Sequence, residues 1–269
     1  MSITILGYNL SAAIYESVNT IIYRGIKESD RTSAIIKTFK AEHPTIEEIS
    51  RLRHEHKILR HLDSQGIVKP IALENYHNGL ALIVENFSGQ SLKDFLNNQP
   101  LAINAFLKIG IQLTQTLGEI HHSNVIHKDI KPPNILINSE TQEVKIIDFS
   151  IASLLERENQ TVTNPNLLEG TLAYMSPEQT GRMNRSVDYR TDFYSLGITF
   201  YEMLTGKLPF SAKDPLELVH CHIAKAPIPP QKLNPEIPDA VSEIVMKLLS
   251  KTAEDRYQSA FGIKIDLET

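Results

Sequence analysis

Four polar side chains near the middle of the chain have types and a spacing that could bind a metal ion and act on a hydroxyl group. Asp129, Lys131 and Asn134 lie in one short stretch, and Asp148 follows them. Two apolar runs joined by a polar turn separate Asn134 from Asp148, which predicts a β-hairpin that brings both ends of the segment to one edge. Carboxylate and amide oxygens suit a hard divalent cation, and a second carboxylate can take a proton from a hydroxyl. The sequence therefore predicts a site that binds a metal–polyphosphate and deprotonates a hydroxyl.

A lysine and a glutamate earlier in the chain form a second candidate pair. Lys37 lies in an apolar, strand-like run, where an ammonium group is costly to bury without an anion; a strand-end lysine that reaches solvent is the alternative. Glu55 lies on the apolar stripe of the next predicted helix, so it needs a cationic partner. Lys37 is the favoured partner, and local pairing with Arg51 or Arg53 is the other possibility.

The elements that position these residues in the first third of the chain follow from the hydrophobic pattern. β-Branched runs between polar turns predict five antiparallel strands: Leu6–Tyr15, Thr20–Lys27, Ser33–Phe39, Ile71–Tyr76 and Leu80–Glu85. His77-Asn78-Gly79 joins the last two strands, and its Asn-Gly pair is a hairpin signal. Thr45 and Glu48 predict a capping box, and hence a helix, after the third strand.

Beyond residue 90 the pattern is mainly helical. Ser91 to Asp94 form a capping pattern for a short helix that ends near Asn97. Apolar residues at steps of three and four predict helices at Ile103–His122, Tyr189–Thr205, Asp214–Ala224 and Val241–Leu249. The proline-rich run from Ala226 to Pro238 predicts a loop. The expected fold class is α+β, with a small antiparallel sheet and one helix followed by a larger, mainly helical part.

Composition narrows the class of protein. Apolar residues make up 41% of the 269 residues, an ordinary share for a soluble globular protein. The net charge of −5 gives no reason to expect nucleic-acid or anionic-membrane binding. One cysteine, Cys221, rules out an intrachain disulfide, and a buried, inert thiol is its expected state. With no signal peptide and no membrane-length apolar run, we expect a cytoplasmic protein without a membrane segment in this chain.

The motifs, taken in order, resemble those of eukaryotic-type (Hanks-type) serine/threonine protein kinases. The stretch His127–Asn134 has the H-x-D-x-K-x-x-N spacing of the family's catalytic loop, and Asp148-Phe149 resembles its metal-binding loop. Gly170–Glu178, Asp192–Gly197 and Asp255–Tyr257 resemble three later kinase motifs. The string from residue 170 to residue 197 is most similar to the N-terminal kinase module of large bacterial multi-domain sensor/histidine kinases.

This resemblance implies a two-lobed kinase domain over residues 1–269, with an N-lobe at 1–85, a hinge at 86–90 and a C-lobe at 91–269. We expect the last helix to be truncated, because the kinase module of such proteins continues into further signalling domains. These domains and a protein substrate with a serine or threonine hydroxyl are the expected partners.

The resemblance also implies individual roles. Asp129 would accept the proton of the substrate hydroxyl, and Lys131 would steady the transferring phosphoryl group. Thr171, with Lys131, points to serine or threonine substrates. Lys37, locked by Glu55, would bind the α- and β-phosphates of ATP.

The implied cofactors are ATP and Mg²⁺, with Mn²⁺ as an alternative. Asn134 and Asp148 would hold the metal. The remaining implied nucleotide contacts are Ile14, Ile22, Ile35 and Leu136 around adenine, Ser17 near the phosphates, and Glu85 and Phe87 at the hinge.

One departure concerns the loop that normally covers the phosphates. The segment Tyr15–Ile22 aligns with the family's glycine-rich loop but contains no glycine, although glycines there let backbone amides approach phosphates closely. Ser17 and Thr20 are its nearest small residues. This departure opens an alternative of another class, a pseudokinase that regulates attached domains.

Three further departures are single residues. Ile35 replaces the alanine over adenine, Ser150 replaces the glycine after Asp-Phe, and Lys128 replaces the arginine before the catalytic aspartate. A phosphorylated Thr161 or Thr163 would then lack a bidentate partner. A small-molecule kinase is a third possibility, which the Ser-Pro-Glu and Asp-x-Tyr-Ser-x-Gly motifs disfavour.

Overall fold

A computed structural model describes residues 5–154, 172–183 and 185–269. Its contacts divide the chain into two compact units. The first unit comprises Met1–Asp63, Ile67–Ser88 and Asp148–Ile151, and the second comprises Ser64–Gly66, Gly89–Ile147 and Ala152–Thr269.

The first unit is built on one antiparallel sheet, as the sequence predicts. Its strands are β1 (Tyr8–Glu16), β2 (Thr20–Lys27), β3 (Ser33–Phe39), β4 (Pro70–Tyr76) and β5 (Gly79–Glu85). They lie in the order β1-β2-β3-β5-β4. Strand β5 is buried from Gly79 to Val84, so its continuous apolar run supplies the middle of this sheet's core.

One helix, α1 (Ile46–His61), packs on β5 in the same unit. The predicted capping box is present: Thr45 Oγ1 accepts from Glu48 N, and Glu48 Oε2 accepts from Thr45 N at 2.8 Å. Leu52, Ile58 and Leu59 form its buried stripe. The helix therefore begins where the sequence sets it, and it presents one apolar face to the sheet.

The bounds of β1, β4 and β5 differ from the predictions by one or two residues. Strand β1 begins at Tyr8 rather than Leu6, because Gly7 has a φ of 79° and the chain turns there. The turn between β4 and β5 is His77-Asn78, within the predicted His77-Asn78-Gly79 connection, and Tyr76 pairs with Gly79. A Cβ at Gly79 would lie 2.6 Å from the Tyr76 ring. The glycine is therefore required by packing of that ring and not by the turn.

The second unit is mainly helical. Its helices are α2 (Leu92–Leu96), α3 (Ile103–His122), α4 (Arg190–Thr205), α5 (Pro215–Ala224), α6 (Pro230–Leu233), α7 (Asp239–Leu248) and α8 (Ala260–Glu268). Helix α4 is buried continuously from Thr191 to Leu204 and ends at Gly206, whose φ is 68°. It packs against α3, α6 and α7, so α4 is the central helix of this unit.

Short strands complete the second unit. They are β6 (Gln90–Ser91), β7 (Val125–Ile126), β8 (Ile135–Ile137), β9 (Val144–Ile146) and β10 (Ser153–Leu154). The hairpin predicted between Asn134 and Asp148 is the β8–β9 pair, which β6 joins along β8.

One helix in this unit was not predicted. The expectation of a continuous loop from Ala226 to Pro238 is wrong, because α6 interrupts it. Pro230 stands at the first position of α6, where its fixed φ suits a helix and its missing N–H costs nothing. In the described part of the chain, no helix is long and apolar enough to cross a membrane.

Candidate active site

The first unit brings Lys37, Glu55 and Asp148 together. Lys37 Nζ lies 2.8 Å from Glu55 Oε2 and 3.0 Å from Asp148 Oδ1. Lys37 projects from β3, and Glu55 from the buried stripe of α1, where it is 3% exposed. The predicted Lys37–Glu55 ion pair is confirmed. The alternatives of a solvent-directed lysine and of a local partner for Glu55 fail, since each charge meets the other across the sheet–helix interface.

The charges of this triad fix the protonation of the lysine. Burial disfavours the ammonium form, but the carboxylates of Asp148 and Glu55 outweigh burial and raise the pKa of Lys37 above its ordinary value. The lysine is therefore a permanent cation at neutral pH. Burial raises the pKa of Glu55 above its ordinary value, although Lys37 opposes this effect. The carboxylate of Asp148 offers oxygen atoms of the kind that suit a divalent cation.

Asp148 has an uncommon backbone conformation. Its φ is 65°, in the left-handed region that few residues other than glycine adopt, although aspartate does so more often than most. Ser150, at the position where the family has glycine, is not among the residues with positive φ. The uncommon backbone conformation therefore lies at Asp148, and Ser150 takes its own conformation without the energetic cost of a positive φ.

The second unit brings Asp129, Lys131 and Asn134 together on the loop between β7 and β8. Lys131 Nζ lies 2.8 Å from Asp129 Oδ2. Asn134 Nδ2 donates to the same oxygen at 2.8 Å and to Asp129 O at 2.9 Å. Asn134 lies in a 3₁₀ turn begun by Pro132 and Pro133, which places it beside Asp129 despite five residues of separation.

This arrangement leaves two oxygen atoms for further partners. Asp129 Oδ1 is buried and has no hydrogen-bond partner within the described ranges, although a buried carboxylate oxygen normally has one. Both donations of Asn134 come from its Nδ2, which leaves its amide oxygen as an acceptor. Asp129 Oδ1 can accept a proton from a substrate hydroxyl, and the amide oxygen of Asn134 can bind a hard metal ion.

Asp192 of α4 holds the backbone of this loop. Its carboxylate is fully buried and accepts from the N–H groups of His127 and Lys128 at 2.9 and 2.7 Å. His121 Nε2 lies 2.8 Å from the same carboxylate. Burial would raise the pKa of Asp192, but the hydrogen bonds from His121 and the backbone lower it below its ordinary value. An ionised Asp192 therefore orients the loop at Asp129.

Three further contacts hold this loop in place. His127 Nε2 lies 3.1 Å from Ile147 O, and Asp129 N donates to His127 Nδ1 at 3.2 Å. Gln179 Nε2 donates to Lys128 O at 2.9 Å. Lys128 has a φ of 69°, so the bonds on either side of its peptide hold an uncommon backbone conformation in place.

Sequence reasoning recognised the motif that contains Asp192 but missed its role. It also missed His121 and Gln179 as supports of the catalytic loop. A signal for Asp192 does exist in the sequence: an acid inside a mainly apolar helix needs a buried partner. Nothing local identifies that partner as two amide groups of another segment.

The remaining predicted nucleotide contacts lie on several elements. In the first unit, Ile14 on β1 is 51% exposed, whereas Ile22 on β2 and Ile35 on β3 are half-buried. Their role around adenine stays a prediction, as do those of three other half-buried residues: Glu85 at the end of β5, Phe87 after it, and Leu136 on β8 of the second unit.

Ser17 and Thr171 are the last two predicted site residues, and of these two the structure describes Ser17. Ser17 closes the β1–β2 turn, and Thr20 N donates to its Oγ at 3.0 Å. Thr171, together with the candidate phosphorylation sites Thr161 and Thr163, lies outside the described residues.

Comparison with known proteins agrees with these motifs. The chain matches a family model described as protein kinase domain over residues 16–264. A protein named probable serine/threonine-protein kinase from Clostridium perfringens is 33% identical over 263 residues, which cover 97% of this chain and 38% of that protein. The serine/threonine-protein kinase PknB of Mycobacterium tuberculosis is 35% identical over 187 residues, covering 69% of this chain and 29% of PknB.

A third relative has a different name. The hybrid signal transduction histidine kinase G of Dictyostelium discoideum is 37% identical over 233 residues, covering 62% of this chain and 7% of that protein. The chain thus spans less than two fifths of the length of each of these relatives. The family model and the Clostridium relative each cover most of the chain, in agreement with the motifs and the α+β fold. The chain belongs to the protein kinase family.

Proposed function

We propose that this chain is a serine/threonine kinase domain that transfers the γ-phosphoryl group of ATP to a protein hydroxyl in bacterial-type signal transduction. The observation that carries the proposal is the environment of Asp129. One carboxylate oxygen is held by Lys131 and Asn134, while the other is buried without a partner among the described residues. A base that is oriented through one oxygen and has no hydrogen bond at the other can accept the proton of a bound hydroxyl.

In the proposed reaction, the substrate oxygen attacks the γ-phosphorus as the bond to the ADP oxygen breaks. Asp129 takes the hydroxyl proton, and Lys131 stabilises negative charge on the transferring group. Lys37 binds the α- and β-phosphates, and Glu55 fixes its position. Each of these residues keeps the chemical type that its role requires.

Asp148 and Asn134 are the proposed ligands of a divalent metal, Mg²⁺ or Mn²⁺. Their carboxylate and amide oxygens fit a hard cation, and the hydrogen bonds of Asn134 leave its oxygen available. The metal would neutralise phosphate charge when bound with ATP.

The proposed setting is a longer signalling protein. The similarity to a hybrid signal transduction histidine kinase and the small share of the relatives that the chain spans both support attached domains as partners. The protein substrate would carry a serine or threonine. We further propose that the domain acts in the cytoplasm.

A second candidate function is a pseudokinase that binds a nucleotide and regulates attached domains. The observation that favours it is the glycine-free β1–β2 turn. In that case nucleotide would bind without phosphoryl transfer.

Transfer of a labelled γ-phosphate to a generic protein substrate separates the two candidates. Thermal shift with ATP, with and without Mg²⁺, measures binding on the same samples. We expect wild type to bind and transfer, and Asp129→Asn to bind while transferring at least about 10²-fold more slowly. Asp63→Asn is the matched control, because Asp63 is a fully exposed acid. Binding without transfer in wild type would replace the kinase proposal with the pseudokinase.

A further inference from the structure

The β1–β2 turn has no glycine, yet its base is closed by a compact set of hydrogen bonds. Ser17 N donates to Thr20 O at 2.8 Å. Thr20 N donates to Ser17 Oγ at 3.0 Å, and the Ser17 and Thr20 hydroxyl oxygens lie 2.7 Å apart. Backbone and side-chain bonds therefore both join these two residues, which we call the Ser17–Thr20 lock.

The turn is also tied to the end of the strand that carries Lys37. Lys40 follows β3, and its N–H donates to Asn19 O at 2.9 Å. Its ammonium group forms an ion pair with Glu16. Both side chains of this pair are half exposed, so the pair adds little energy by itself. Together with the lock, these contacts hold the turn at its base and at its tip.

The tip of the turn presents two successive amide groups. Within residues 5–154, 172–183 and 185–269, the N–H groups of Val18 and Asn19 donate no hydrogen bond. Adjacent backbone N–H groups at a turn form an arrangement that binds anions. A glycine-rich turn must lose conformational freedom when it closes on an anion, whereas a turn that is already ordered has less to lose.

We infer that the Ser17–Thr20 lock replaces the missing glycines by preorganisation. It holds the Val18 and Asn19 amides ready for the polyphosphate of the nucleotide. This inference rests on the proposed nucleotide-dependent function. It makes Ser17 and Thr20 positioning residues and not phosphate ligands, because their hydroxyl groups bond to each other within the turn.

Binding measurements on the 269-residue chain test the lock with Ser17→Ala. We expect the Kd for Mg·ADP to rise about fivefold, the effect of re-ordering roughly one residue of backbone. Adenosine lacks phosphates, so its Kd should stay unchanged. Ser17→Thr keeps a hydroxyl and should restore ADP binding. Ser11→Ala is the matched control, because Ser11 lies on β1 and donates to Arg24 O at 2.9 Å outside the turn.

Kinetics give a second readout. Ser17→Ala should raise the KM for ATP and leave the KM for the protein substrate unchanged, a split that general loss of folded protein would not produce. Unchanged ADP affinity in Ser17→Ala, or an equal loss of adenosine affinity, would overturn the lock. If wild type binds ADP but transfers no phosphate, the proposed activity fails while the ADP and adenosine comparison still decides the lock. If wild type binds no nucleotide, both ideas fail.

Discussion

Arg256 and Glu178 form a buried, bidentate ion pair across 78 residues of sequence. Arg256 Nη1 donates to Glu178 Oε1 at 2.6 Å, and Nη2 donates to Oε2 at 2.9 Å. The other donations of the guanidinium go to the carbonyl oxygens of Ser250, Arg190 and Lys251. The side chains are 0% and 2% exposed, so no water compensates if one partner is removed.

Arg256→Met should therefore lower the free energy of unfolding by about 3–5 kcal/mol, since it leaves a buried carboxylate without its cation. Arg256→Lys should recover little, because a lysine cannot reproduce the planar fork of donors. Urea unfolding measures both variants. The control is Arg185→Met: Arg185 also bonds Glu254 through two nitrogens, but Glu254 is 56% exposed, and about 1 kcal/mol or less is expected. Equal losses in the two methionine variants would contradict the assignment.

Lys37→Met removes the ammonium group that β3 carries and tests whether phosphoryl transfer needs its charge. Phosphoryl transfer should fall by at least about 10²-fold, as on loss of other groups that stabilise transition-state charge. Stability should fall as well, because Glu55 stays buried without its partner.

The double variant Lys37→Met/Glu55→Gln separates these two effects. Removing the second charge should restore much of the melting temperature without restoring transfer. Labelled-phosphate transfer and thermal unfolding on the same preparations make the comparison. A double variant that regains both would show that the lysine charge is not needed for the reaction.

His222 should make the free energy of unfolding depend on pH at values above those at which most carboxylates titrate. Burial, with the charge of Lys251 adding to it, lowers the pKa of His222 from 6.5 to about 4. The Tyr194 hydroxyl lies 3.0 Å from its Nδ1. Below pH 6.5 the unfolded chain therefore binds a proton at this residue that the folded chain does not bind. Stability from this group is complete above that pH and is lost as the pH falls towards 4.

Thermal unfolding between about pH 7 and pH 5, above most carboxylate titration, measures this effect. His222→Asn keeps a hydrogen-bonding group near the position of Nδ1 but cannot titrate, so its melting temperature should vary less with pH. His122→Asn serves as the control, because His122 is exposed. A pH dependence that His222→Asn leaves unaltered would mean that other groups cause it.

Local patterns were enough to predict the sheet of the first unit and the start of α1. The Lys37–Glu55 pair was also predictable, because an acid on an apolar stripe and a lysine in an apolar strand each need a partner. The β4–β5 turn lies within the predicted connection, but the requirement for glycine at Gly79, over which the ring of Tyr76 lies, was not predicted. That requirement arises from tertiary packing and leaves no trace in turn composition.

The residues that support the catalytic loop were the larger part of the site that the sequence did not predict. The H-x-D-x-K-x-x-N spacing identified Asp129, Lys131 and Asn134 as a group, and a 3₁₀ turn gives that spacing its geometry. The anchoring of His127 and Lys128 by Asp192 is a backbone contact across 65 and 64 residues. Backbone amides are the same in every residue, so no side-chain pattern could point to it.

The anchoring by Asp192 links the order of the catalytic loop to the most deeply buried helix. The two loop amides are bonded to a carboxylate with 0% exposure, so they can reach water only when α4 itself opens. Hydrogen exchange at these amides should then follow global unfolding of the second unit rather than local fraying. A loop that carries the reacting carboxylate would in that respect behave as part of the core.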